Sequence, residues 1–454
     1  MEFFKKYKEH YLKTLLLAWP VCLSNLGYIL VGIVDAKMVG GIDPKLAGYD
    51  GTQAQAAVAL ANSFYAILLV LGIGISFGIT PLVAAADASG DTLKKTEALK
   101  NSFLINFFIN LGIFLILFLS SGLLRYLNQP PKVVELAIPF LNVMMFGLVP
   151  LSLFFTVKQF TEGLSLTMIP MFITLGGNLL NIILNYVLIY GHWGFSPMGL
   201  QGSCWASFIS RSAMTIGIIL YLLYNKRFVR YRDNWKKVRI SFPVARRIFR
   251  SGFATGLQWV FEMGAFSIAV LMMGWISDDA QAAHLIAISI ASGTYMIVSG
   301  ISAASSVRVG NQVGLKNNTG IRRAAFSGFH LAIAFMFVCA IVLLVTRGSI
   351  SAAFSKNDHV IGIASSLLGI AAFFQLFDGL QAVALGNLRG VNDTAIPTTI
   401  TLIAYWGIAL PASYLLSFKA GLGPNGVWYG LSVGLFASAL MLLIRFEFIS
   451  RKKF

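Results

Sequence analysis

Three acids interrupt runs of sequence that are otherwise apolar: Asp35 in GIVDAKMVGG, Glu262 in QWVFEMG and Asp378 in FQLFDGLQ. A charge at the centre of a bilayer costs about 2.5–3.5 kcal/mol on insertion scales, so an acid at depth marks a use. The chemistry such carboxylates offer is the capture of a cation or a proton. Asn181 and Asn185 stand four residues apart and share a helix face. With Asp35 and Ser207 they form an oxygen-rich set able to surround a small cation. Glu262 and Asp378 form a second set. At about 1.5 Å rise per residue they lie about 18 and 16 Å from Arg250 and Arg389, a shared depth. Two nearby carboxylates in low dielectric do not both stay ionised without a counter-charge. Sodium at Asp35/Asn181/Asn185 or at Glu262/Asp378, or protonation, would neutralise them. The plainer reading is that these acids hydrogen-bond neighbouring helices, and that the two Asn join helices as polar glue.

Around these sets four residues are candidates for lining a substrate cavity. Gln258, Trp259 and Phe374 lie about one turn from the second pair of acids. Arg211 lies nine residues past Gly202 and either balances an acid, contacts substrate or meets a helix carbonyl. Aromatic faces accept flat organic cations through cation–π contact. His284 and His330 read as core residues rather than proton relays.

The elements that must position these residues follow from composition. The chain has 454 residues, 57% hydrophobic and 12% charged. A globular domain carries about 25% charged residues. The deficit excludes a soluble enzyme, a nucleic-acid-binding module and a disordered chain. A membrane-spanning helix needs about 20 mostly apolar residues. Twelve runs qualify, from 12–39 to 425–448, and the roughly ten-residue alternating strands of an outer-membrane barrel are missing. The fold class is therefore an all-α polytopic membrane protein with 12 transmembrane helices. Sorted by side, 27 Lys and Arg fall on one face of the membrane and seven on the other. The positive-inside rule then makes both termini and the basic 225–250 segment cytoplasmic. The first helix reads as an uncleaved anchor rather than a signal peptide.

Similar segments recur at half the chain length. Ala54-Gln55-Ala56-Ala57 answers Ala280-Gln281-Ala282-Ala283, an offset of 226, and Gly74-Ile75-Ser76 answers Gly300-Ile301-Ser302. GLSLTMIP from Gly163 answers GVNDTAIP from Gly390, an offset of 227. Gly199-Leu200-Gln201-Gly202 answers Gly423-Pro424-Asn425-Gly426. Two parallel six-helix repeats result: residues 1–224 as an N-lobe, 225–247 as a basic cytoplasmic linker and 248–454 as a C-lobe. Parallel repeats carry their sites near mid-membrane and work by rocking of one bundle against the other. The sequence has no GxxxxGK[ST], HExxH or CxxC, so no cofactor is expected and no ATPase. Cys22, Cys204 and Cys339 are too few and too apolar in setting for a disulfide framework or metal site.

These segments resemble the multidrug and toxin extrusion (MATE) family, most like its NorM-type bacterial branch. The likeness rests on Pro20 and VDAKMVGG, KQFTEGLSLTMIP, NLLNIILNYVLIYG, GLQGSCWAS, SGFATGLQWVFE and FQLFDGLQAVALGNLRGVNDTAIP, in the family's order over nearly the whole chain. The resemblance implies two six-helix lobes forming a V-shaped transporter. It implies export of cationic lipophilic drugs in exchange for Na+ or H+, with Asp35, Glu262 and Asp378 in coupling or substrate binding. Asn181 and Asn185 match the family's polar fifth-helix positions, and Ser207 stands where many relatives have Thr. Phe374 departs from members with Tyr there, which removes a hydroxyl ligand. The expectation is a secondary antiporter of the bacterial inner membrane, a monomer whose partners are small organic cations and the bilayer. The alternative is a lipid-linked saccharide flippase of the same broad superfamily, against which the acids argue. An intramembrane enzyme would need a clustered Ser/His/Asp or His/Glu set, and the five His are scattered.

Overall fold

A computed structural model describes residues 2–44, 48–127 and 129–451, all helix, turn and loop, with no strand among them. Of the basic residues counted above, Lys45, Lys452 and Lys453 lie outside the described residues, as do the side chains of Lys5 and Lys6. Twelve helices among the described residues are long and apolar enough to cross a membrane. They are α1 (Glu2–Gly40), α2 (Gly51–Ala88), α3 (Thr92–Tyr126), α4 (Pro131–Gly163), α5 (Met168–Tyr190) and α6 (Leu200–Tyr224). The remainder are α7 (Phe242–Ile276), α8 (Asp278–Gly314), α9 (Asn318–Phe354), α10 (Asp358–Gly390), α11 (Ala395–Lys419) and α12 (Gly423–Ser450). The basic linker is itself ordered. It carries a short helix, Val229–Trp235, and α7 begins at Phe242, inside the linker's expected bounds.

The repeat extends to the backbone. Asp50 caps α2 by accepting from the Gln53 N–H, and Ser277 caps α8 by accepting from Ala280, 227 residues on. Asp91 caps α3 and Asn317 caps α9, an offset of 226. Such caps occupy backbone N–H groups that a helix start leaves without partners. The turn before α3 puts Gly90 at φ 74°, and its counterpart before α9 puts Lys316 at φ 53°. After α4 and after α10 the chain enters the left-handed region at Ser165 (φ 61°) and Asn392 (φ 60°). Both turns use the same bonds: Ser165 N–H to the Glu162 carbonyl and Asn392 N–H to the Arg389 carbonyl, each 2.8 Å.

By contact the chain divides into two compact units. The N-unit comprises Leu23–Val83 and Gly90–Gly256; the C-unit comprises Met1–Cys22, Ala84–Ser89 and Leu257–Phe454. The N-unit core is built on Leu117, Leu141, Phe154 and Phe160, all fully buried. The C-unit core holds Trp428, Tyr405, Phe374 and Phe446. Within it α8 and α10 approach closely. Ser302 donates to the Ala382 carbonyl and Ser305 to the Asn387 side chain, each at 2.6 Å. A Cβ at Gly390 would fall 2.6 Å from the Ser306 carbonyl oxygen, so small residues set that spacing. Helix α11 is irregular: it widens into π-helical turns at Ile403–Ala409 and Leu415–Lys419. The first lies just before Pro411, which has no N–H to return to Gly407. Single π turns of this kind are frequent at functional sites.

Candidate functional site

In the N-unit the expected polar set comes together. Asn185 on α5 donates from Nδ2 to the Asp35 carboxylate on α1 at 2.5 Å and to Asn181 Oδ1 at 3.2 Å. Asn181 in turn donates to the Ser207 and Ser210 hydroxyls of α6, each at 3.4 Å. Asn185 is fully buried, Asn181 nearly so, while Asp35 and Ser207 are half-buried. The Asn185 carbonyl oxygen has no hydrogen-bond partner among the described residues. The cluster therefore offers one carboxylate, two amide oxygens and two hydroxyls, the ligand chemistry of a hard cation. Arg211 stands beside it: its Nη1 donates to the Tyr65 hydroxyl at 3.1 Å, and its charge acts on Asp35. Among the described residues no ion pair joins them.

In the C-unit Glu262 of α7 and Asp378 of α10 lie close enough to repel each other. Neither meets a basic side chain at ion-pair distance among the described residues. Gln381 Nε2 donates at 2.8 Å to the Tyr405 hydroxyl, carried on the π-helical part of α11, and that tyrosine feels the charges of Glu262 and Asp378. Tyr295 of α8 feels both acids and Arg389. Two carboxylates held together in low dielectric do not both stay ionised unless a cation or a proton joins them.

The four cavity candidates meet different fates. Arg211 joins the N-unit cluster. Gln258 is buried and bonds to α11, donating to the Thr394 carbonyl at 3.3 Å and the Thr398 hydroxyl at 3.1 Å. Phe374 sits in the aromatic core, its ring 5.5 Å from Trp428 and 6.2 Å from Phe266. Trp259 is half-buried. His284 accepts from the Trp428 indole at 3.1 Å, a core role.

Several polar residues escaped the sequence reading. Tyr405 follows no sequence signal, because its position depends on the π turn. Gln375 and Gln381 bracket Asp378 three residues to each side, a pattern that was legible. A further acid, Glu162, is buried and pairs with Lys158 at 3.9 Å at the end of α4, both about 4% exposed or less. Gln159 donates to Glu162 at 3.0 Å, and Thr80 donates to Gln159 at 2.7 Å. Lys158 also lies over the Tyr28 and Phe155 rings, 5.5 and 5.3 Å from their centroids. Lys158 thus belongs to a buried network. The repeat aligns Glu162-Gly163 with Arg389-Gly390, so the two halves carry opposite charges at that point.

No group of three or more His, Cys, Asp or Glu able to hold a metal ion occurs among the described residues. The clusters are instead rich in neutral oxygen. A family model described as MatE matches residues 20–187 and 254–415. The chain is 32% identical over 449 residues to the multidrug resistance protein NorM of Photobacterium profundum, covering 98% of this chain and 96% of that protein. It is 30% identical to the probable multidrug resistance protein NorM of Bradyrhizobium diazoefficiens, over 98% and 94% of the two chains. Its fold is like that of a multidrug resistance MATE family transporter of the MOP superfamily solved in an outward-facing conformation. That likeness has a TM-score of 0.88 at 18% identity over 98% and 97% of the chains. The eukaryotic MATE transporter AtDTX14 matches with a TM-score of 0.85 at 19% identity, over 98% of each chain.

Proposed function

The chain belongs to the MATE family of multidrug efflux transporters, and from that premise we propose that it is a secondary antiporter expelling lipophilic organic cations in exchange for entering Na+ or H+. It is a multi-pass membrane transporter rather than an enzyme. The observation that carries the reading is the Glu262–Asp378 pair: two acids at depth that act on each other and have no basic ion-pair partner among the described residues. Asp35, held by Asn185, supports it from the other unit. We read residues 1–224 and 248–454 as the two lobes, and the basic 225–247 segment as cytoplasmic in a bacterial inner membrane. The protein works as a monomer, since each unit carries its own coupling cluster.

The coupling follows from competition. An organic cation and an inorganic one both need carboxylate charge. Entry of Na+ or H+ neutralises an acid and weakens its hold on the drug. Only a difference in affinity between the two conformations drives the cycle, because a ligand that binds both equally shifts nothing. Asp35, Asn181, Asn185 and Ser207 serve the cation in one unit, Glu262 and Asp378 in the other. Arg211 returns counter-charge to Asp35 when the cation leaves.

The test is efflux of a fluorescent organic cation from proteoliposomes, with sodium and proton gradients imposed separately at clamped membrane potential. Efflux under at least one gradient is expected. No efflux under either sinks the antiporter reading.

A further inference from the structure

We propose that the start of α9 carries a binding site for the headgroup of an anionic phospholipid, with Arg322 and Arg323 as the ligands of its phosphate. The inference is independent of the antiporter reading. It rests on the basic face of the membrane being the cytoplasmic one.

The site is a cavity of about 390 Å³ in the C-unit, lined by Tyr7 of α1 and by Asn318, Thr319, Arg322, Arg323 and Phe326 of α9. Sites for small ligands span about 300–1,000 Å³. The α9 residues form two rows at four-residue spacing, 318–322–326 and 319–323, so one helix face supplies most of the wall.

Charge at this wall is unbalanced. Arg322 donates from Nη2 to Glu447 at 3.0 Å and from Nη1 to the Ser450 hydroxyl at 3.1 Å, and its guanidinium lies 5.7 Å from the centroid of the Phe326 ring. Glu447 also accepts from Arg451 at 2.9 Å, so one carboxylate answers two guanidiniums. Arg323 makes no ion pair among the described residues, and its buried Nε has no hydrogen-bond partner among them. A buried donor left without a partner asks for an explanation. Its charge acts on His10, which Arg308 also meets at 3.1 Å, so a third guanidinium adds to the surplus.

The internal repeat shows that the fold does not need this charge. At the offset of 226 that relates Asp91 to Asn317, Arg322 and Arg323 fall on Thr96 and Glu97. The equivalent turns of α3 form with no basic residue at either position.

A positive surplus selects an anion, and guanidiniums take phosphate through paired N–H donors. What lies beyond the cavity selects a lipid. Ile333 and Phe337, seven and eleven residues past Phe326, continue its face of α9 and are 40% and 55% exposed. A phosphate held by the two arginines has this apolar strip beside it to receive acyl chains. Free phosphate makes no use of the strip. Basic pockets between helices on the cytoplasmic side suit anionic headgroups, whereas a zwitterionic lipid brings an ammonium group into a site already rich in positive charge.

The experiment follows the melting midpoint of the full-length protein, delipidated in detergent, as dioleoylphosphatidylglycerol is added in mixed micelles. Dioleoylphosphatidylcholine and glycerol 3-phosphate are the comparison ligands. Phosphatidylglycerol is expected to raise the midpoint saturably, at mole fractions where phosphatidylcholine does not. Arg323→Gln is expected to weaken phosphatidylglycerol about tenfold. Arg323→Lys, which keeps the charge and loses the planar fork, is expected to weaken it less, and serves if the Gln variant folds poorly. Arg230→Gln, at an exposed arginine of the linker, is expected to leave the affinity unchanged. Equal stabilisation by phosphatidylcholine overturns the proposal, as does wild-type affinity in Arg323→Gln or an equal loss in Arg230→Gln. A shift from glycerol 3-phosphate as large as that from phosphatidylglycerol overturns the lipid and leaves a site for soluble phosphate.

Discussion

The Asn185 side-chain amide reaches the Asp35 carboxylate at 2.5 Å, tying α1 to the polar face of α5. The same nitrogen also meets Asn181 at 3.2 Å, so one amide orders three residues. On the proposed coupling role, the amide orients the carboxylate for the ion that binds there. On that reading Asp35 is both the acceptor that holds α1 and the charge that draws the ion.

Asp35→Asn keeps the shape and removes the charge, and it should abolish drug resistance while expression stays at the wild-type level. Asn185→Leu should leave the acid unanchored and weaken the coupling cation about ten- to a hundredfold, the worth of a hydrogen bond to a charged group. Resistance assays on a strain lacking other efflux pumps, with the protein quantified in membranes, check both. Full resistance in the Asp35→Asn strain would end the coupling role given to that residue.

In the C-unit, Tyr405→Phe removes the hydroxyl that Gln381 Nε2 holds within the field of Glu262 and Asp378. We expect the driving-ion concentration for half-maximal dye efflux to rise about tenfold, with the maximal rate largely kept. Glu262→Gln should instead abolish efflux at every ion concentration. Titrating the imposed gradient in proteoliposomes separates the two. Identical behaviour of the variants would mean that Tyr405 shapes the fold and not the site.

What the sequence disclosed and what it hid divide along physical lines. Twelve spans were legible because apolar length is a property of the chain alone. The repeat was legible because its turns need particular residues: Gly163 and Gly390 end α4 and α10 in the same bonded turn. The N-unit cluster was legible because helical spacing puts Asn181 and Asn185 on one face. Tyr405 was hidden, since a π turn moves it off the regular wheel. The Lys158–Glu162 network was hidden, because a basic residue near a span end looks like a loop charge. Only tertiary structure brings Tyr28, Phe155 and Glu162 around it.

That buried pair makes a prediction of its own. Lys158 and Glu162 are 3.9 Å apart and almost wholly enclosed. Removing one partner strands the other charge, so Lys158→Met alone should destabilise by about 3–5 kcal/mol. The double variant Lys158→Met/Glu162→Leu strands neither and should recover most of that loss. Thermal melts of the single and double variants in detergent form the cycle. Additive losses would show that the two charges are supported separately, Glu162 by Gln159 and Lys158 by the Tyr28 and Phe155 rings.

The repeat supplies its own control for backbone strain. Gly90 and Lys316 occupy equivalent turns, both with left-handed φ, at 74° and 53°. Glycine adopts that region freely, whereas other L-residues pay about 1–2 kcal/mol there. Lys316 is exposed, and nothing lies within 4 Å of a Cβ built on Gly90, so side-chain packing favours neither residue at either turn. Lys316→Gly should therefore stabilise by up to about 1 kcal/mol, the strain relieved less the added freedom of the unfolded chain. Gly90→Lys should destabilise by a similar amount. Opposite shifts in melting temperature, with dye efflux unchanged in both, are the expected result. Shifts of the same sign would mean that the two turns are alike in backbone angle but differ in what their side chains hold.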